Sequence, residues 1–153
     1  MDEKIREVVD TCKVNENGYI IPICVDFDAT LTDANLYPHI ANENPHAFDI
    51  MKEWTKKYNV GWVLDTMRGG KDREAAIAFC KERGIEFYAV GMTKDQKTWT
   101  DSTKAYGIFS IDDRNIGVPL KRNKEGYASV DWLKIKELLE PTLERIKKYH
   151  DKR

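Results

Sequence analysis

The stretch ICVDFDATLTD, residues 23–33, begins as an apolar, β-branched run and ends in acids and hydroxyls. Asp26 and Asp28 stand two apart, followed by Thr30 and Thr32. Carboxylates at the end of a buried strand are costly unless a cation meets them. The same pattern recurs further along the chain. Gly61–Asp65 (GWVLD) is a second short apolar run, followed by Thr66 and Arg68. Ile85–Val90 is a third. Gly107–Ile111 (GIFSI) is a fourth, followed by Asp112 and Asp113. Helical spacing separates these runs. Phe48, Met51, Trp54 and Tyr58 share one face over 47–58, and 72–83 is helical with Gly84 as its C-cap. Alternating strands and helices predict an α/β fold: a Rossmann-like three-layer sandwich around a mostly parallel sheet.

The flanking segments complete one expected domain spanning 1–153, with its motif-bearing core at about 19–140. Ile5, Val8, Val9 and Cys12 predict a short helix over 3–13, and the turn residues 15–18 precede a strand over 19–27. Pro22 within that strand lacks a ladder donor and suggests that pairing starts late. Residues 112–130 read as loop. A helix is expected over 131–140, with Pro141 starting another that reaches Tyr149.

Composition excludes several classes. The 25 basic and 26 acidic residues nearly cancel, so no overall charge draws the chain to nucleic acid, although a local basic patch stays open. No apolar run approaches the roughly 18 residues of a membrane span. The charged start, MDEKIREVVD, has no apolar signal-peptide core. Cys12, Cys24 and Cys80 are scattered, and Cys24 and Cys80 read as small core residues, which suggests a reducing, cytoplasmic setting. His39, His46 and His150 are too dispersed for a zinc site.

Ligands of open α/β sheets bind beyond the carboxyl ends of the strands. Asp26, Asp28, Thr66, Asp112 and Asp113 all follow such ends, and Lys104 lies just before the fourth strand. Each residue alone has an ordinary reading. Thr66 can cap a turn, Lys104 can be surface, and an Asp pair can be a solvated turn. Their joint placement points to a site. Converging carboxylates repel one another, and a hard cation such as Mg2+ relieves this while leaving room for a phosphate. Asp26 can then stay ionised as a nucleophile, with Thr66 and Lys104 on phosphoryl oxygens.

These residues resemble the motifs of the haloacid dehalogenase (HAD) superfamily. VDFDATLT resembles its first motif, WVLDT its second, Lys104 its third-motif lysine, with Lys94 and Lys97 as alternatives, and FSIDD its fourth. DTMR, RGIEFYAV and IDDRNIG are similar to small bacterial and phage hydrolases of that superfamily. Receiver domains use a related set, but their acidic pair comes first in the chain, and here it comes last.

The resemblance implies a magnesium-dependent phosphatase. Asp26 would form an aspartyl-phosphate, and Asp28 would act as general acid and then base. Thr30, Thr66 and Lys104 would meet the phosphate. Asp26, Asp112, Asp113 and the Asp28 backbone carbonyl would hold Mg2+. An acid at Asp28 favours phosphatase over dehalogenase chemistry. Arg68 and Arg114 are expected to pair with acids of the site, with substrate contact as the alternative for Arg68. Ala29 stands where many members carry glycine. It therefore supports two other readings: a non-catalytic metal- or phosphate-binding module, and altered loop geometry. Transfer to an acceptor other than water is a further alternative.

Only 35 residues lie between Thr30 and Thr66, too few for an inserted cap of about 60 or more. A capless molecule excludes water through short loops, a macromolecular substrate or a second copy of itself, which leaves a homo-oligomer open. The expected substrate is a phosphorylated small molecule or macromolecule end. Residues 33–46 and 91–103 are the loops expected at the substrate, with Tyr37 and Trp99 either stacking on it or anchoring their loops.

Overall fold

The computed structural model describes residues 13–15 and 18–152. In chain order these form β1 (Lys13–Asn15), β2 (Gly18–Val25), α1 (Ala47–Tyr58), β3 (Val60–Leu64), α2 (Gly70–Glu82) and β4 (Ala89–Val90). A single 3-10 turn (Gln96–Thr98) follows, then β5 (Phe109–Ile111), β6 (Leu120–Arg122), β7 (Ala128–Val130) and α3 (Trp132–Asp151). The helix expected over 3–13 lies outside the described residues except for Lys13, which begins a strand.

β2 is the central strand. It pairs in parallel with β3 on one side and β5 on the other, and β3 pairs in parallel with β4. β1 adds an antiparallel start at residues 18–20 of β2. The result is a mostly parallel sheet flanked by helices, the expected Rossmann-like α/β sandwich. Pro22 sits within β2 opposite Gly61. Its carbonyl accepts from the Ile108 N–H at 2.8 Å, so its donor-less edge faces the β5 side. Pairing with β5 starts one residue later, at Ile23, and no ladder bond is lost.

Alternation splits β2 into two faces. Ile21, Ile23 and Val25 join Trp62 and Leu64 of β3 in the main core, against Trp54 and Tyr58 of α1 and Trp132 and Leu143 of α3. Trp54 stacks on Trp62 with centroids 6.0 Å apart, and Trp132 meets Trp62 edge-on at 6.1 Å. The opposite face carries Cys24, Val63 and Ser110. There the segment between β4 and β5 forms the wall of a groove lined by Cys24, Gln96, Tyr106 and Ser110. Gly107 brings this segment back to β2. A Cβ there would stand 2.7 Å from the Cys24 nitrogen.

Three expectations are corrected. The third strand is only Ala89–Val90, not 85–90. Residues 120–130, read as loop, form an antiparallel hairpin closed at Asn123–Gly126. Pro141 does not start a new helix but lies inside α3. It forgoes one backbone bond, while contacts to α1 on both sides keep the helix continuous. Trp54 Nε1 donates to Glu140 at 3.1 Å, the Tyr58 hydroxyl donates to Glu144 at 2.7 Å, and Lys136 pairs with Glu53 at 3.2 Å. Among the described residues no helix is long and apolar enough to cross a membrane.

Candidate functional site

The turn after β2 is wound tightly around one carbonyl. The Phe27 oxygen accepts from the N–H groups of Thr30, Leu31 and Thr32 at 3.2, 2.8 and 3.3 Å. Ala29 takes the left-handed conformation, φ 58°, that glycine adopts freely. The left-handed turn is kept, at a strain of about 1–2 kcal/mol. One local bond and three from distant segments hold it. The Ala29 N–H donates to Thr32 Oγ1 at 3.1 Å, and its carbonyl accepts from the Val130 N–H at 2.9 Å. The Thr30 carbonyl accepts from Asn44 Nδ2 at 2.9 Å and from Trp132 Nε1 at 2.8 Å. The hairpin and α3 thus fix the loop that carries the acids.

Asp26 extends the ladder past β2, its N–H donating to the Ile111 carbonyl at 3.0 Å. That bond sets Asp26 beside the acids following β5. Carboxylate oxygens of Asp26, Asp112 and Asp113 lie within 4.8 Å of one another. The Thr30 hydroxyl links them, donating to Asp26 Oδ2 at 3.3 Å and accepting from the Asp113 N–H at 3.2 Å. Thr30 is fully buried, so its hydroxyl joins two acidic segments instead of facing open space. Asp112 Oδ1 accepts from the Arg114 N–H at 2.9 Å. Burial, and next the charge of Asp112, push the Asp26 carboxyl up to about 8. Burial also raises Asp113. Three hard oxygen donors held against their mutual repulsion suit a divalent cation of the magnesium type.

Asp28 is not part of this cluster. Its carboxylate is gripped by Arg68, with Nε on Oδ2 and Nη2 on Oδ1, both at 2.8 Å. The Arg68 side chain is only 1% exposed. Its other bonds go to the carbonyls of Pro38 at 3.1 Å and His39 at 2.9 Å, and its guanidinium lies between the rings of Phe27 and Tyr37. Arg68 therefore pairs with an acid, as expected, and also docks residues 36–39 beside Asp28. The Arg114 side chain is exposed and makes no ion pair among the described residues. The Asp28 backbone carbonyl, the atom the resemblance offers to a metal, accepts no hydrogen bond among the described residues.

The Thr66 hydroxyl accepts from the Arg68 N–H at 3.1 Å, a turn-capping bond that leaves its proton available. Lys104 is exposed and lines a groove of 390 Å³ with Cys24, Asp65 and Trp99. Lys94 and Lys97 do not line it, and neither do Asp26, Asp112, Asp113 or Thr66. Asp65 is a further acid at this edge, outside the set the motifs point to. It continues the ladder beside Asp26, its N–H donating to the Val25 carbonyl at 2.9 Å, and it borders the groove. Its place after the apolar run WVL was the available signal.

Fold and site define a class: an α/β protein whose parallel sheet carries a cluster of aspartates at its carboxyl edge. No protein-family model matches the chain, and no curated protein matches it. A solved structure of a conserved protein from Bacteroides thetaiotaomicron is similar, with a TM-score of 0.66 and 31% sequence identity. The match covers 80% of this chain and 91% of that one, so the chain belongs to the same family as the Bacteroides protein.

Proposed function

We propose that the protein is a magnesium-dependent phosphomonoester hydrolase of the HAD type. The convergence of Asp26, Asp112 and Asp113 beyond β2 and β5 carries this reading. Those three carboxylates and the Asp28 carbonyl would hold the ion. When bound, Mg2+ supplies positive charge to the carboxylates and to phosphoryl oxygens.

Every covalent step belongs to the chain's own residues. Ionised Asp26 attacks phosphorus, forming an aspartyl-phosphate as the ester P–O bond breaks. Asp28 protonates the departing oxygen. It then takes a proton from water, which attacks the same phosphorus and releases phosphate and free Asp26. The Arg68 fork holds Asp28 as a carboxylate, so Asp28 releases one oxygen from the fork and takes a proton from solvent before the first transfer, and it regains that proton from the attacking water. Thr66 donates to the phosphoryl group, and Lys104 offsets its charge. Residues 36–39, docked by Arg68, shield the site in place of a cap. The substrate is a phosphorylated small molecule or macromolecule end. Two buried free thiols, Cys24 and Cys80, accord with a reducing, cytoplasmic setting.

Phosphate release from p-nitrophenyl phosphate, with and without Mg2+, tests the reading. Turnover should require the metal and vanish in Asp26→Asn. Turnover surviving that substitution sinks the mechanism. The Asp28–Arg68 fork favours a second reading, a non-catalytic module that binds metal or phosphate. Metal-dependent turnover of any phosphate ester discards it.

A further inference from the structure

We propose that the groove beside the acids is a nucleobase site, and that the ester cleaved is a nucleoside phosphate whose base stacks on Trp99. The substrate assignment rests on the phosphatase reading; the base-binding site stands apart from it.

The groove lies on the sheet face that leads to the acids. Cys24 and Ser110 line it two residues before Asp26 and Asp112, and Asp65 lines it one strand over from Asp26. A strand rises about 3.3 Å per residue, so the Cys24 and Ser110 floor of the groove begins about 7 Å along the strands from Asp26 and Asp112, a step that the sugar of one nucleotide spans. At 390 Å³ the groove has the size of a small-ligand site.

Trp99 is the residue that points to a planar ligand. The other three tryptophans, Trp54, Trp62 and Trp132, are 0%, 2% and 0% exposed, whereas Trp99 is 64% exposed. It is held, not loose. Tyr106 packs edge-on against it, with centroids 5.7 Å apart at 85°. The loop is tied by buried Gln96, whose Nε2 donates to the carbonyls of Ser102 and Lys104. Thr93 and Gln96 also exchange backbone-to-side-chain bonds. A fixed, exposed indole is a stacking platform for any base. Lys104 and Asp65 at the groove add a cation for phosphate and an acceptor for ribose hydroxyls or base N–H groups. Tyr37, the other exposed aromatic considered for stacking, is already engaged. Its hydroxyl donates to Asp72 at 3.0 Å, and its ring covers Arg68.

Trp54, Trp62 and Trp132 also emit, but they are buried beyond contact with a ligand in the groove, so quenching that is present in wild type and absent in Trp99→Ala reports Trp99. Metal-free protein in EDTA, where no turnover occurs, should be quenched by adenosine and by adenosine monophosphate but not by ribose 5-phosphate. In equilibrium dialysis with adenosine, Trp99→Ala should bind about tenfold more weakly, and Trp99→Phe should retain most of the affinity. A 5′-phosphorylated dinucleotide separates the two sources of such a base. Tighter binding than the mononucleotide marks a strand end, and equal binding marks a free nucleotide. Absence of quenching by adenosine overturns the proposal, as does unchanged binding in Trp99→Ala. If adenosine binds at Trp99 but no ester is hydrolysed, the base site stands and the phosphatase reading falls. If esters are hydrolysed but adenosine does not bind, the reverse holds.

Discussion

Asp28 and Arg68, 40 residues apart in sequence, are joined by two parallel hydrogen bonds of 2.8 Å in a nearly dry setting. The pair does two jobs. It holds the acid in one orientation, and it ties residues 38 and 39 to the turn after β3. Removing one partner of a buried pair leaves an uncompensated charge. Arg68→Met should therefore cost about 3–5 kcal/mol of stability, read by urea denaturation. The double variant Asp28→Leu, Arg68→Met should recover part of this, because no charge is then stranded. A loss below about 1 kcal/mol in the single variant would show the pair to be energetically idle.

Ala29 offers a test of backbone strain. Its φ of 58° favours glycine, but its methyl group is buried. Ala29→Gly relieves about 1–2 kcal/mol of strain, and gives up a similar amount in buried methyl surface and chain entropy. The net change should stay within about 1 kcal/mol. Ala29→Val puts a β-branched residue at positive φ in a filled site and should cost more than about 2 kcal/mol. Equal melting temperatures for the valine and glycine variants would contradict the left-handed turn.

The sequence made the sheet and its acids legible because both signals are local. Apolar runs ending in Asp mark strand ends, and α1 matched its expected bounds because four large residues share its face. What escaped depends on distant contacts. β6 and β7 have three residues each and include Lys121 and Arg122, too short and polar to read as strands. Their role shows only where Val130 bonds to Ala29. Arg68 was expected to find an acid, but its hold on Pro38 and His39 appears only in the folded chain. Thr30, expected at the phosphate, has its hydroxyl occupied by a segment 83 residues away.

Pro141 shows a local rule overruled by packing. Proline breaks helices by losing a backbone bond and crowding the preceding turn. Here buried Trp132 and Ile135 lie before it, and Leu143 and Ile146 after it. Both halves are held by the same core, so the helix carries the defect. Pro141 itself is exposed, and replacing it disturbs no packing. Pro141→Ala should raise stability by about 1–3 kcal/mol, measured by chemical denaturation. An unchanged or lowered midpoint would mean that the two halves are not one continuous helix.

Asp26 sets the expected pH dependence of the metal-free protein. Its carboxyl rises from an ordinary 3.8 to about 8 on folding, through burial first and Asp112 second. Between those values the folded chain holds a proton that the unfolded chain has lost. The folded state then binds more protons, so stability falls as pH rises from about 4 to about 8. The direction is opposite to that of a salt-bridged aspartate. Thermal unfolding in EDTA should show this decline in wild type and a flatter profile in Asp26→Asn, which should melt above wild type at pH 8. Mg2+ binds the ionised carboxylates, so its stabilising effect should be larger at pH 8 than at pH 5. A magnesium shift that is the same at both values, or larger at pH 5, would separate the ion from Asp26 and move the metal site elsewhere.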